Sequence, residues 1–142
     1  MKTPHILMMA AGTGGHVFPA LAVSEELTQR GAVIHWLGTA AGMENALVEP
    51  TGYAFHPIAM QGLRGKGVAR LLKMPLTLLS ATMAAMKIIR SNQIDMVVGF
   101  GGYVTAPGGI AARMTGTPLI IHEQNAIAGM SNRYLAKMAT KV

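Results

Sequence analysis

Three clusters of glycine and polar residues hold most of the chemistry this sequence can do. Ala11-Gly12-Thr13-Gly14-Gly15-His16 follows one short apolar run, Gly99-Phe100-Gly101-Gly102-Tyr103 follows a second, and His122-Glu123-Gln124-Asn125 follows a third. Glycines allow positive φ and close backbone approach, and a helix that begins at such a turn offers free amides and the positive end of its dipole. Phosphate is the ligand these features suit. Pro107-Gly108-Gly109 repeats the pattern of a flexible turn at a helix entrance, and two turns facing one crevice fit a diphosphate better than one does. The same glycines also serve as tight strand-to-helix packing turns, and the four polar residues after the third run also serve to bond nearby backbone.

The dinucleotide fingerprint is the usual rival, and it fails. Gly12-Thr13-Gly14 is followed by Gly15-His16-Val17 where the last glycine should stand, and the second strand pattern ends at Leu37-Gly38-Thr39 without an acid for a ribose. There is no lysine of the phosphate-binding loop type either. An imidazole titrates near neutrality, at about 6.5, so His16 at the mouth of the first turn is a candidate general base. Bonding to phosphate or backbone at a helix start is an equal alternative. Glu123 is the second candidate base. His5, His35 and His56 fall on strand patterns without ligand spacing and are assigned core or surface roles. The chain has one aspartate, Asp95, and no clustered carboxylates, so no metal is expected.

These residues need elements to place them. His5 to Met9 reads as a strand, Pro19 to Arg30 as an amphipathic helix stopped by Gly31, Val33 to Leu37 as a second strand, Met43 to Glu49 as a short helix ended by Pro50, and Ala54 to Ile58 as a third strand. Gln61 to Gly67 is an exposed loop. A long helix from Val68 to Arg90 follows, which Pro75 should kink or divide. Then come a strand at Met96 to Gly99, a helix from Pro107 to Met114, a strand at Leu119 to His122 and a helix near Met130 to Ala139; Ala139 to Val142 resembles the approach to another strand. Strands alternating with helices at short spacing imply an α/β domain, a parallel sheet with helices on both faces. Ligands of such sheets sit beyond the carboxyl ends of the strands, which is where the three clusters fall.

Composition bounds the rest. The chain has 142 residues, 51% of them hydrophobic and 13% charged, which suits one globular domain with much of its secondary structure covered on both faces. The net charge of +6 implies anionic company: a phosphorylated ligand, nucleic acid or an acidic membrane. Aromatic residues are only 5% and do not interleave with the basic ones, so nucleic acid drops in rank. The absence of cysteine excludes disulfides and thiolate sites and suits a reducing cytoplasm. The uncharged stretch Met74 to Met86 is too short to span a bilayer, so no transmembrane helix is expected. Its apolar residues, flanked by Arg70, Lys73, Lys87 and Arg90, could instead lie on an anionic surface, although an apolar helix face is more often core.

Taken with Gly62-Leu63-Arg64-Gly65-Lys66-Gly67, and with Ala126-Ile127-Ala128-Gly129 extending the third cluster, these blocks resemble in order the signatures of the MurG glycosyltransferase family, over almost the whole chain. Ala11 departs from the pattern, since the family usually has glycine there. The resemblance implies a Rossmann-like domain, the N-terminal, acceptor-binding half of a GT-B glycosyltransferase, with residues 1–142 a fragment of a longer enzyme whose C-terminal donor-binding domain is absent. It implies an inverting transfer of N-acetylglucosamine from UDP-N-acetylglucosamine to the 4-hydroxyl of undecaprenyl-pyrophosphoryl-N-acetylmuramyl-pentapeptide, lipid I to lipid II, in peptidoglycan synthesis, and through it cell shape and division.

The resemblance also assigns residues. Thr13, Gly14 and Gly15 would touch the sugar nucleotide, Asn125 its N-acetylglucosamine, and Gly12, His16, Gly101, Gly102 and Tyr103 the acceptor's diphosphate. Leu71, Leu72, Leu76 and Leu79 with Arg70 and Lys73 would form the membrane patch, placing the enzyme peripherally on the cytoplasmic face of the bacterial membrane. No cofactor is implied. A non-enzymatic phosphate- or lipid-binding module and a nicotinamide oxidoreductase are the other readings.

Overall fold

The computed structural model describes residues 2–60, 67–125 and 130–142; Arg64 and Lys66 of the expected loop and Ala126 to Gly129 lie outside them. Five parallel strands form one sheet in the order β3-β2-β1-β4-β5: β1 (His5–Ala10), β2 (Val33–Gly38), β3 (Ala54–Pro57), β4 (Met96–Gly101) and β5 (Leu119–Ile121). The helices are α1 (Gly14–Gln29), α2 (Met43–Val48), α3 (Val68–Ser91), α4 (Thr105–Thr115) and α5 (Met130–Leu135), with a 3-10 turn at Glu49–Thr51. This is the expected doubly covered Rossmann-like sheet. Lys141 bridges Ile120 in parallel, so the strand-like character of the last residues is realised on the β5 edge.

Strand alternation makes the two cores. Leu7 and Met9 of β1 join Leu37 and Val97 against Ala81, Ala85 and Ile89 of α3 and Ala111 and Ala112 of α4. Met8 and Ala10 turn the other way, to Trp36, Val98 and Phe100 under Val17 and Ala20 of α1. Side chains one residue apart on a strand face opposite sides, so a continuous apolar run is what a sheet covered on both faces requires.

Three expectations need correction. Helix α1 begins at Gly14, not Pro19, so the glycine turn runs into the first helical turn and His16 is part of it. Gly108 and Gly109 lie inside α4 and are buried; a Cβ on Gly108 would strike the Met9 sulfur and one on Gly109 would come 2.5 Å from Leu135 Cδ2. Those glycines bring helices close to their neighbours and are not a ligand turn. Helix α3 runs undivided through Pro75, and by length and composition its segment Leu71–Ser91 is long and apolar enough to cross a membrane. Its other face nonetheless belongs to the domain core, through Ala81, Thr82, Ala85 and Ile89.

Candidate functional site

The carboxyl ends of β1, β4 and β5 meet at one place. Strand β4 slips by one residue against β1, Met9 pairing with Gly99 but Ala10 with Gly101. A bulge of this kind takes one residue out of the ladder. That residue is Phe100, whose carbonyl oxygen lies 3.1 Å from Nδ1 of His16. Gly101 and Gly102 then turn the chain with φ of 124° and 95°, values that residues with a side chain rarely adopt. A Cβ at Gly101 would stand 2.5 Å from the His16 ring, and one at Gly102 would overlap the Ala11 carbonyl oxygen. The two turns that the sequence separates by some ninety residues are therefore packed on each other.

His16 is held at one ring nitrogen. The Gln124 side-chain amide reaches the same Nδ1, at 2.8 Å. A protonated Nδ1 donates to the Phe100 carbonyl and accommodates Gln124 only through its amide oxygen, and the amide is free to turn by half a revolution. In that orientation the Gln124 oxygen faces Nδ1 and its amide nitrogen takes the buried position where Oε1 otherwise lies without a partner among the described residues. Nε2 is then the basic nitrogen.

The third cluster is a set of mutual hydrogen bonds. Oε1 of Glu123 accepts from the main-chain N–H and the side-chain amide of Asn125, each at 3.0 Å, and Oε2 accepts from the Asn132 amide at 3.0 Å. Asn132 also donates to the His122 carbonyl at 3.3 Å. Both oxygens of Glu123 have partners, and Nε2 of His16 has none among the described residues. Thr13 caps α1 in extended conformation without a side-chain bond to the helix, so the amides of Gly14 and Gly15 remain available as helix N-termini leave them.

One participant was missed in the sequence. Glu44 of α2 is fully buried beneath the first turn. Its Oε1 accepts from the Thr39 N–H at 2.8 Å and hydroxyl at 2.9 Å, and its Oε2 lies 3.5 Å from the Gly12 amide. Thr39 Oγ1 lies 3.3 Å from the Tyr103 hydroxyl, and the Tyr103 ring covers Gly12. Strand β2 ends without an acid, as expected, but α2 supplies one from the side. The available signal was Gly38 and Gly42 flanking it: a Cβ on Gly38 would come 2.7 Å from Glu44 Cγ, and one on Gly42 would overlap its carboxylate.

Two other groupings lie apart from the crevice. His5, His35 and His56 form a hydrogen-bonded row across β1, β2 and β3, at 3.0 Å for each link. Burial first, then the neighbouring His56 and His5, hold His35 below the ordinary imidazole range; burial does the same to His56. On α3, Leu71, Leu72, Leu76 and Leu79 are 68%, 73%, 70% and 57% exposed, with Lys73 exposed beside them; the Arg70 side chain lies outside the described residues. The expected apolar patch is on the surface.

The chain matches the Glycosyltransferase family 28 N-terminal domain over residues 6–142. It is 86% identical over 142 residues to the UDP-N-acetylglucosamine–N-acetylmuramyl-(pentapeptide) pyrophosphoryl-undecaprenol N-acetylglucosamine transferase of Psychrobacter arcticus, covering all of this chain and 39% of that protein. With the protein of the same name from Pseudomonas syringae pv. syringae the identity is 58% over 138 residues, 97% of this chain and again 39% of the relative. The crystal structure of Acinetobacter baumannii MurG superposes with a TM-score of 0.86 at 51% identity, over 96% of this chain and 40% of that one. The Streptomyces glycosyltransferase SsfS6 superposes with a TM-score of 0.66 at 16% identity, which shows shared fold alone. The chain thus spans about two-fifths of the length of the curated relatives it matches.

Proposed function

The chain belongs to glycosyltransferase family 28 through its N-terminal domain, and from that premise we propose that it forms the acceptor-binding half of an enzyme that makes lipid II. The reaction is transfer of N-acetylglucosamine from UDP-N-acetylglucosamine to the 4-hydroxyl of undecaprenyl-pyrophosphoryl-N-acetylmuramyl-pentapeptide. The observation that carries the reading is the locked pair of glycine turns with His16 between them, in a chain so similar to proteins of that name.

Nε2 of His16 takes the proton of the acceptor hydroxyl as its oxygen attacks the anomeric carbon from the face opposite the leaving group. The anomeric bond to UDP breaks and the configuration inverts. The uncapped N-terminus of α1, with the amides of Gly14 and Gly15, suits phosphate charge. Thr13 and Asn125 supply hydrogen bonds to the sugar nucleotide, and Gly12, Gly101 and Gly102 let the acceptor's diphosphate approach the backbone. A second domain carries most of the donor site.

The acceptor's polyprenyl tail stays in a bilayer while its sugar reacts, and the exposed leucines of α3 with Lys73 suit an anionic membrane surface. On this reading the enzyme works peripherally on the cytoplasmic side of the cell membrane, in peptidoglycan synthesis and hence in cell shape and division. The direct test is product formation from UDP-N-acetylglucosamine and a polyprenyl-pyrophosphoryl-N-acetylmuramyl-pentapeptide. A two-domain protein carrying this chain is expected to form the disaccharide and residues 1–142 alone are not; a two-domain protein that forms none overturns the reading.

A further inference from the structure

The direction of hydrogen bonding can be followed from Glu44 to the crevice. Both carboxylate oxygens of Glu44 face main-chain N–H donors, of Thr39 at 2.8 Å and Gly12 at 3.5 Å. A carboxylate so placed is an acceptor, so the Thr39 hydroxyl, 2.9 Å from Oε1, spends its hydrogen on it. Thr39 Oγ1 is left with lone pairs alone. Within that contact the Tyr103 hydroxyl, at 3.3 Å, is the donor to Thr39, which leaves its oxygen with lone pairs for a group entering beside Gly12. A phosphate oxygen offers lone pairs too, and two acceptors do not bond.

We propose that Glu44, Thr39 and Tyr103 form a polarity relay that fixes the Tyr103 hydroxyl as a hydrogen-bond acceptor, so that Tyr103 recognises an N–H or O–H of the acceptor substrate and not its diphosphate. This rests on the lipid II reading and refines it. Glu44 and Thr39 are positioning residues; Tyr103 sets specificity for a donor group such as a sugar hydroxyl or an amide, and the diphosphate is left to the glycine turns. Glu44 is anchored for the task by the lack of side chains at Gly38 and Gly42, where any Cβ would displace it.

The relay is tested in the two-domain enzyme with Tyr103→Phe and Thr39→Val. Loss of one substrate hydrogen bond is worth about tenfold. Tyr103→Phe is expected to raise the KM of the muramyl acceptor about tenfold, leave kcat within about threefold, and leave the inhibition constant of inorganic pyrophosphate unchanged. If pyrophosphate inhibition weakens by the same factor as the acceptor KM, Tyr103 serves the diphosphate and the proposal fails. Thr39→Val removes the acceptor of the phenolic hydrogen and should raise the same KM; an unchanged KM also overturns the relay.

A spectroscopic readout stands independently of turnover. The intensity ratio of the tyrosine Raman doublet rises when the phenol accepts and falls when it donates to an anion. In the difference between each protein and the same protein carrying Tyr103→Phe, the ratio should fall when inorganic pyrophosphate is added to Thr39→Val and not when it is added to the parent. A fall in the parent overturns the relay. An enzyme that forms no lipid II overturns the functional reading instead, and the Raman result still decides the relay.

Discussion

His16 Nδ1 lies 3.1 Å from the carbonyl oxygen of Phe100, a residue that the bulge against β1 takes out of the sheet ladder. One contact thus ties the first turn of α1 to the end of β4.

Replacing that imidazole should affect the chemical step. In the two-domain enzyme, His16→Ala is expected to lower kcat by about 10² to 10⁴, the usual worth of a general base, with a much smaller change in donor KM. Thr13→Ala and Asn125→Ala are the contrasts, expected to raise the KM of UDP-N-acetylglucosamine. Steady-state kinetics at saturating substrates decide it: near-parental turnover by His16→Ala removes His16 as the base.

The glycine turns can be tested by stability. Gly102→Ala adds a strained φ of 95° and an overlap with the Ala11 carbonyl, and should destabilise the fold by about 2–4 kcal/mol. Gly31 has a similar φ of 94° but open space around it, so Gly31→Ala should cost only the conformational part, about 1 kcal/mol. Urea titration of both variants separates overlap from strain; equal losses would mean that the close approach at Gly102 relaxes freely.

The histidine row makes stability pH-dependent. His35 and His56 are held below the ordinary imidazole range, so the folded state binds fewer protons than the unfolded one around these groups. Their contribution is complete above the unfolded value of about 6.5 and is lost as pH falls through it toward the lowered folded values. Denaturation midpoints should therefore fall between about pH 7.5 and about pH 5, and fall less in His35→Gln, which removes the central titrating link. Asp95 is separate: the His5 main-chain N–H, then Lys2, hold it below the usual carboxylate range, and its contribution is lost only in more acidic solution, as pH falls through that lowered value.

Membrane docking has a simple assay. Burying a leucine is worth about 1.5–3 kcal/mol, so Leu72→Glu with Leu76→Glu should weaken co-sedimentation with anionic vesicles at least about tenfold while the thermal midpoint stays near that of the parent. Parental binding should also weaken as salt rises. Equal binding to neutral vesicles, or an unaffected double variant, would exclude this face as the docking surface.

Local chemistry determined much of this protein. Apolar runs ending in glycine mark strands and turns because side-chain periodicity and positive φ are properties of a few neighbouring residues, and they placed β1, β4 and β5 with their clusters at one end of a parallel sheet. The same locality explains the errors. Gly14 and Gly15 looked like loop and proved to be the first turn of α1, since tertiary context overrides the low helix propensity of glycine; Gly108 and Gly109 looked like a turn because glycine marks close packing and flexibility alike. Only the tertiary structure decided which side chains meet. His5, His35 and His56 are neighbours across strands and strangers in sequence, Phe100 reaches His16 through a register slip that no single strand encodes, and Glu44 enters the site from the side of α2 because Gly38 and Gly42 leave it room. Periodicity is set within an element, whereas hydrogen-bond partners are set by how the elements pack.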